Sequence, residues 1–186
     1  LGLRGSFKGL FYFDATLYHL FYRDRIGLLL RADQPPLYLD YRLRTNVADA
    51  RTWGVELVGE LEWVRLFLGH SGAFDLSTFV NLSLNRARYV NTDDPTIIGS
   101  EVELVPPYLL RAGINLAWRG LRLSGQVSQV GAHYTDATNA ELTAAAVNGL
   151  IPTYRVADLS ASYTWRWLTL ETGVNNLLNA AYFTRR

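Results

Sequence analysis

The sequence predicts an all-β fold, the wall of an antiparallel transmembrane β-barrel, and three observations predict it. Apolar and polar residues alternate with period 2 along most of the 186 residues, and almost nothing repeats at period 3.6. The alternating runs last about ten residues or more, against roughly five to six in soluble sheets and about nine to eleven for a tilted strand crossing a bilayer. Short and long connections follow one another in strict alternation, as they do in outer-membrane barrels.

Taken in order, "LGLRGSF" and "YFDATLYHLFYRDRI" make a hairpin about the short turn Lys8-Gly9. A second hairpin centres on "ADQPP" at 32–36. Its arms keep their alternation far on both sides, so it is expected to rise well clear of the main sheet. The descending arm, "GVELVGELEW", sets Val55, Leu57, Gly59, Leu61 and Trp63 against Glu56, Glu60 and Glu62. A somewhat longer connection, "RLFLGHSG" at 65–72, leads into "FDLSTFVNLSLN". There Phe74, Leu76, Thr78, Val80, Leu82 and Leu84 share one face, and Asp75, Ser77, Asn81, Ser83 and Asn85 the other. After the long stretch 89–107, "YLLRAGINLAW" gathers Tyr108, Leu110, Ala112, Ile114, Leu116 and Trp118 opposite Arg111 and Asn115. Arg119-Gly120 turns the chain back, 134–152 is long again, and "DLSASYTW" opposes Leu159, Ala161, Tyr163 and Trp165 to Asp158, Ser160, Ser162 and Thr164. Arg166-Trp167 makes the last short turn.

The aromatic residues sort by end. Trp63, Trp118 and Trp165 sit where a strand enters a short connection, and Trp167 is expected to start the strand leaving one. Tyr89, Tyr108, Tyr134 and Tyr154 flank the long connections. Indole and phenol rings prefer the headgroup level of a bilayer, so two such belts one strand-length apart read as girdles.

Composition narrows the function. Hydrophobic residues make up 49%, charged residues 19%, and the net charge is +1, with no basic face of the kind a nucleic-acid partner needs. Lys8 is the only lysine, so positive charge is almost all guanidinium, the better bidentate binder of carboxylate and phosphate. Cysteine is absent, which excludes disulfides and thiolate metal sites. The chain opens at Leu1 without a basic-then-apolar leader, and is expected to be an internal or processed piece of something larger. His19, His70 and His133 are too dispersed for ligand spacing, and Asp93-Asp94 beside Pro95 reads as turn chemistry. No catalytic constellation, metal or cofactor is expected.

Two sets of arginines carry binding hypotheses. If the parity of Val55 to Trp63 extends back without a bulge, Arg42 and Arg44 point into the lumen on the tall hairpin, as Arg111 does near the long-loop end of its strand. These three are candidate contacts for an anionic ligand; the blander reading is that they neutralise carboxylates across the lumen. Arg86 and Arg88 keep the parity of Leu82 and Leu84, and Arg155 that of Ala157 and Leu159, placing them on the lipid side near an interface. Lipopolysaccharide phosphates there would offset their desolvation. Two other architectures share the alternation: a soluble β-sandwich binding module with its apolar face inward, and a complete small barrel of about eight strands with a structural or adhesive role.

The ending "IPTYRVADLSASY" and "LTLETGVNNLLNAAYFTRR" resembles the C-terminal barrel portion of TonB-dependent outer-membrane receptors. "GVNNLLNAAYF", Gly173 to Phe183, is similar to the family's penultimate strand with its Asn-Leu-x-(Asn/Asp)-x-x-Tyr ending. "TWGVELVGEL" resembles its Gly-Val-Glu strand. The general likeness is greatest to ferric-dicitrate and related siderophore receptors. The resemblance implies about eight strands of a 22-stranded barrel in the bacterial outer membrane, with the plug domain and last strand outside residues 1–186. It further implies uptake of a ferric chelate, driven by the TonB–ExbB–ExbD complex through that plug, with outer-membrane lipid and lipopolysaccharide around the barrel.

Overall fold

Alternation makes each strand two-faced, and each strand of the main sheet pairs with its neighbours in the chain. The computed structural model describes residues 1–32, 40–69, 73–92, 94–141 and 149–184, the side chains of 30–32 and 40–42 excepted. Its elements are β1 (Gly2–Phe7), β2 (Phe11–Ala32), β3 (Asp40–Glu62), α1 (Trp63–Leu68), β4 (Phe74–Asn91), β5 (Tyr108–Trp118), β6 (Leu121–Val130), β7 (His133–Tyr134), β8 (Leu150–Ile151), β9 (Tyr154–Trp165) and β10 (Leu168–Val174). Eight of them form one antiparallel sheet in the order β1-β2-β3-β4-β5-β6-β9-β10, and β7 pairs with β8 apart from it.

Register carries the two-facedness across the whole sheet. One transverse row reads Gly59, Val80, Ala112, Val127, Ala157; the row one strand-step and one face away reads Val58, Asn81, Arg111, Ser128, Val156. Nearer the short turns, Glu62, Ser77, Asn115, Ser124 and Ser160 form a wholly polar row on that second face. The first face leaves Val80, Leu84, Ile114 and Leu159 exposed. The main element contacts join sheet neighbours, α1 with β4, or β7 with β8, so among the described residues no second layer of strands or helices covers it. A sandwich would bury those side chains. Here the apolar face looks outward, and the polar one lines the concave side of the barrel wall.

Glycine and aromatic residues face each other across three strand pairs, two on the inner side and one, Phe13 with Gly5, on the outer side in register with Gly59. Tyr18 lies over Gly54, Phe79 over Gly113 and Phe13 over Gly5, each ring occupying the space a Cβ would fill. Such pairs shield a bare strand backbone while letting the sheet curve.

The buried core lies at the long-loop end. Leu29, Val47, Ala48, Ala50, Ala87 and Tyr89 from β2, β3 and β4 close on Ile97, Val102 and Ala137 from the two long connections. Segment 99–107 runs back along β4, with Val102 N–H donating to Ala87 O at 3.1 Å and Asn85 N–H to Pro107 O at 2.8 Å. Residues 134–139 cross over it: Leu104 N–H donates to Tyr134 O, and Ala137 N–H reaches Leu28 O. The long connections are therefore folded caps on the inner wall.

Three details differ from the expectations. The stretch after Trp63 is helical, so Trp63 opens α1 instead of ending a strand; Gly69, at φ 73°, closes the helix. Trp167 lies within the turn, because Trp165 pairs directly with Leu168 and β10 starts there. The parity of β3 also breaks. The β2–β3 register shifts twice, between Tyr22 and Arg25 and between Arg25 and Ile26, and adjacent Val47 and Ala48 are buried in one cluster. Two successive side chains on one face are what a bulge produces, and beyond it the faces exchange.

Candidate functional site

The inner wall beyond the bulge is built from that exchange. Leu29 is buried and pairs with Leu43, so Leu28 and its partner Arg44 lie on the opposite, outward face. Arg44 consequently leaves the set of inward candidates. Arg42 pairs with Leu30 through its backbone, and its side chain lies outside the described residues, as do residues 33–39 of the "ADQPP" stretch. Arg111 pairs with Asn81 and Ser128 on the polar inner face. Of the described side chains, Arg44 and Arg111 lie on opposite faces and are not brought together.

Above Arg111 the caps are held by a buried polar cluster. Tyr89 Oη donates to Glu103 Oε2 at 2.5 Å, and Arg25 Nη1 stands 3.6 Å from Glu103 Oε1. The phenol is pushed above its ordinary range by burial first and by the neighbouring Glu103 second. Gly27 makes room for the group: a Cβ there would come within 2.8 Å of Tyr89 Oη and 2.9 Å of Glu103 Oε1. Each cap also carries an aspartate-stapled turn. Asp94 Oδ1 accepts from Thr96 N–H and Oγ1–H, and Asp136 Oδ1 accepts likewise from Thr138. Asp94 thus does turn work, as its neighbourhood predicts; Asp93 lies outside the described residues. A cleft of about 520 Å³ opens beside the bulge, where Leu29, Leu43, Val47, Asp49, Asn91 and Ile97 meet.

The lower inner wall is mainly polar, with Val58 and Phe79 among its polar rows. Glu56, Glu60 and Glu62 line β3, and Arg122, Ser124, Ser160 and Glu171 border a concavity of about 510 Å³ on β6, β9 and β10. Ser124 Oγ–H donates to Asn115 Oδ1 at 2.7 Å, and Gln126 Nε2 to Asp158 Oδ2 at 3.1 Å.

The outward arginines occupy the long-loop rim. Arg86 pairs with Trp53, whose ring meets that of His19 in a tilted contact with centroids 4.1 Å apart. Arg88 pairs with Arg51, which sequence reading did not single out, although its parity with Val55 placed it on this face. Arg155 donates through Nε and Nη2 to Gln129 Oε1, at 3.1 and 2.8 Å, and Gln129 Nε2 donates to Tyr108 Oη. Arg155 is therefore separate from the Arg51, Arg86 and Arg88 group. His133 is buried, its Nδ1 2.9 Å from Gly131 O; His70 lies outside the described residues. Among the described residues no cluster of His, Cys, Asp and Glu has metal-binding geometry.

At the short-turn rim Trp63 donates Nε1–H to Thr78 Oγ1 at 3.0 Å and stacks on Phe67. Trp118, Trp165 and Trp167 stand exposed beside their turns. At the other end Tyr182 stacks on Tyr154, centroids 4.8 Å apart, so the chain after β10 continues up the wall alongside β9.

A family model described as TonB dependent receptor-like, beta-barrel, matches residues 1–177. Among solved structures, the ferric yersiniabactin uptake receptor FyuA from Yersinia pestis superposes with a TM-score of 0.71 at 22% identity, over 99% of this chain and 25% of that one. The ferric citrate transporter FecA gives 0.77 at 16% identity over 98% of this chain and 26% of its own. The copper transporter OprC gives 0.70 at 18% identity, over 98% and 25%. This chain spans about a quarter of the length of each. No curated protein sequence matches it.

Proposed function

We propose, from the premise that this chain belongs to the TonB-dependent receptor β-barrel family of outer-membrane proteins, that it is the C-terminal part of the barrel wall in a receptor taking up a ferric chelate. The carrying observation is the eight-stranded wall itself, apolar outside and polar inside, which superposes on the ferric citrate transporter over nearly its whole length. In this reading a plug domain encoded elsewhere in the receptor seats against the polar rows of β3 to β10, Glu56, Glu60, Arg122 and Glu171 among them. The TonB–ExbB–ExbD complex supplies energy through that plug. No bond of the cargo is made or broken.

The folded caps form one side of the ligand vestibule, with Arg111 below them on the inner face. Arginine offers a forked, permanently charged donor to the carboxylates or oxyanions of a ferric chelate. In the complete receptor, Arg111→Ala is expected to weaken binding of ferric citrate by about tenfold, the worth of one charge-assisted contact. Arg44→Ala, on the outward face, is expected to leave it unchanged. Equal affinities in wild type and Arg111→Ala, by calorimetric titration, would remove Arg111 from the site. Uptake that persists without TonB would remove the transport reading altogether.

Copper is the second cargo, because OprC is among the similar structures. Thiolate and thioether ligands select copper(I). The chain contains no Cys and no Met, so a copper site of that kind would be built by other parts of the receptor. On the outer face, Arg86, Arg88 and Arg155, with Arg51 beside Arg88, are suited to lipopolysaccharide phosphates at the long-loop rim.

A further inference from the structure

Each of the four described connections at the short-turn rim carries one cation. Lys8 belongs to the β1–β2 turn, Arg65 to α1, Arg119 to the β5–β6 turn and Arg166 to the β9–β10 turn. All four are exposed. Three lie over an aromatic ring: Lys8 Nζ is 5.4 Å from the Phe7 centroid, Arg119 Cζ 5.5 Å from Trp118 and Arg166 Cζ 5.4 Å from Trp165. The fourth, Arg65, donates Nη1–H to Gly9 O at 3.1 Å, tying α1 to the neighbouring turn.

Among the described residues none of the four has a carboxylate partner. The ion pairs among the described residues are Arg4–Asp14 and Arg25–Glu103, and the acids towards this rim, Glu60, Glu62, Asp75 and Glu171, stand on the inner face. The backbone adds a third observation. Lys8, Arg119 and Arg166 have φ of 50°, 52° and 53°, a left-handed conformation that Gly or Asn adopts at lower cost. The same local rule is broken three times in the same way, each time with a cation. The surrounding surface is apolar and exposed: Phe67 is 75% accessible, Leu68 64% and Trp167 89%.

Outer-membrane barrels turn their short connections to the periplasm, where the leaflet consists of phospholipid. We propose that this rim binds the phosphodiester groups of anionic inner-leaflet phospholipid. The rings of Phe7, Trp118 and Trp165 would lie at headgroup level and hold each cation flat, leaving its N–H donors free for phosphate oxygens. Phe67 and Leu68 of α1 would enter the acyl boundary between two of these sites. The inference rests on the membrane-spanning reading of the barrel and not on its cargo.

The test uses the complete receptor in micelles containing spin-labelled phosphatidylglycerol or phosphatidylcholine. Wild type is expected to prefer phosphatidylglycerol by about fivefold or more, since one cation at an anionic lipid surface gives about that factor. Replacing Lys8, Arg65, Arg119 and Arg166 by Gln is expected to bring the ratio to unity, while the exchanges Lys8→Arg, Arg119→Lys and Arg166→Lys retain it. Heat-modifiable gel migration reports whether each variant is folded. If the fourfold variant does not assemble, Arg119→Gln and Arg166→Gln singly are expected to lower the preference. No preference in wild type, an unchanged ratio in the folded variants, or capture of peptidoglycan fragments in place of lipid would each overturn the proposal. Ferric-chelate binding, measured on the same samples, reports separately on the cargo reading.

Discussion

Asn176 shows how much of the chain's most recognisable stretch is local chemistry. Its Nδ2–H donates to Ala180 O and its Oδ1 accepts from Ala180 N–H, both at 2.9 Å, while its own N–H donates to Asp158 Oδ1. Asn176 and Asn179 have φ of 53° and 47°, which asparagine tolerates better than most residues. The Asn-rich ending thus encodes a stapled kink after which Leu177 N–H rejoins β9 at Ala157 O. Asn176→Ala is expected to cost the receptor about 1–3 kcal/mol, from two lost bonds and one left-handed residue. Asn176→Gly, which keeps the conformation, should cost less; equal losses in urea unfolding would contradict this. Gly27 is a second such residue. Gly27→Ala places a methyl against Tyr89 and Glu103 and is expected to destabilise the cap by about 1–3 kcal/mol. Tyr89 itself predicts a pH response. Its folded-state pKa is raised by burial and Glu103, so the neutral phenol's contribution is intact below about pH 10 and is lost as pH rises beyond it. Amide exchange at Val102 should accelerate above that pH in wild type, and Tyr89→Phe should show no such alkaline step.

Among elements, the long strands and the caps teach different lessons. Alternation placed Leu82, Leu84, Ile114 and Leu159 outward correctly, because a period of 2 leaves one face no alternative while the ladder is unbroken. It failed for Arg44, because a bulge adds one residue without altering local composition: "NVADA" reads as alternating whether or not Val47 is extra. The caps were missed for another reason. Ile97, Val102 and Val105 stood visibly in the 89–107 stretch, but apolar residues in a long connection do not say which wall they will meet. Helix α1 went unread because six residues are too few for a helical period to declare itself. The outward arginines give this scale its prediction. Replacing Arg51, Arg86, Arg88 and Arg155 by Gln should reduce the lipopolysaccharide that co-purifies with the receptor, without changing phosphatidylglycerol preference. An unaltered lipopolysaccharide content would separate those residues from lipid phosphate.

The whole molecule is one open sheet of eight strands, with one side of β1 and one side of β10 unpaired among the described residues. Backbone groups left unpaired in hydrocarbon cost several kcal/mol each. These 186 residues expressed alone in detergent are therefore expected to associate edge to edge through Gly2–Phe7 and Leu168–Val174. A monodisperse monomer with slowly exchanging edge amides would show that the edges find cover by other means. The absence of an apolar core between β1 and β10 in the spanning region fits the same economy of design: lipid outside and a polar lumen inside need none.

Sequence alone determined the two faces, the eight-strand plan and the likeness to the family, because all of these follow from a one-dimensional period and its punctuation. It expected Tyr89 in an interfacial belt, and the structure buries Tyr89 in the inner cap. Tertiary structure alone decided that Arg44 turns outward and that the long connections fold onto the inner wall. It also decided that three of the short-turn cations lie over aromatic rings and that the fourth, Arg65, is carried by a helix and tied to the neighbouring turn. A bulge, a docked loop and a row of turns from distant segments are relations between strands, and a period read along one strand carries no record of its neighbours.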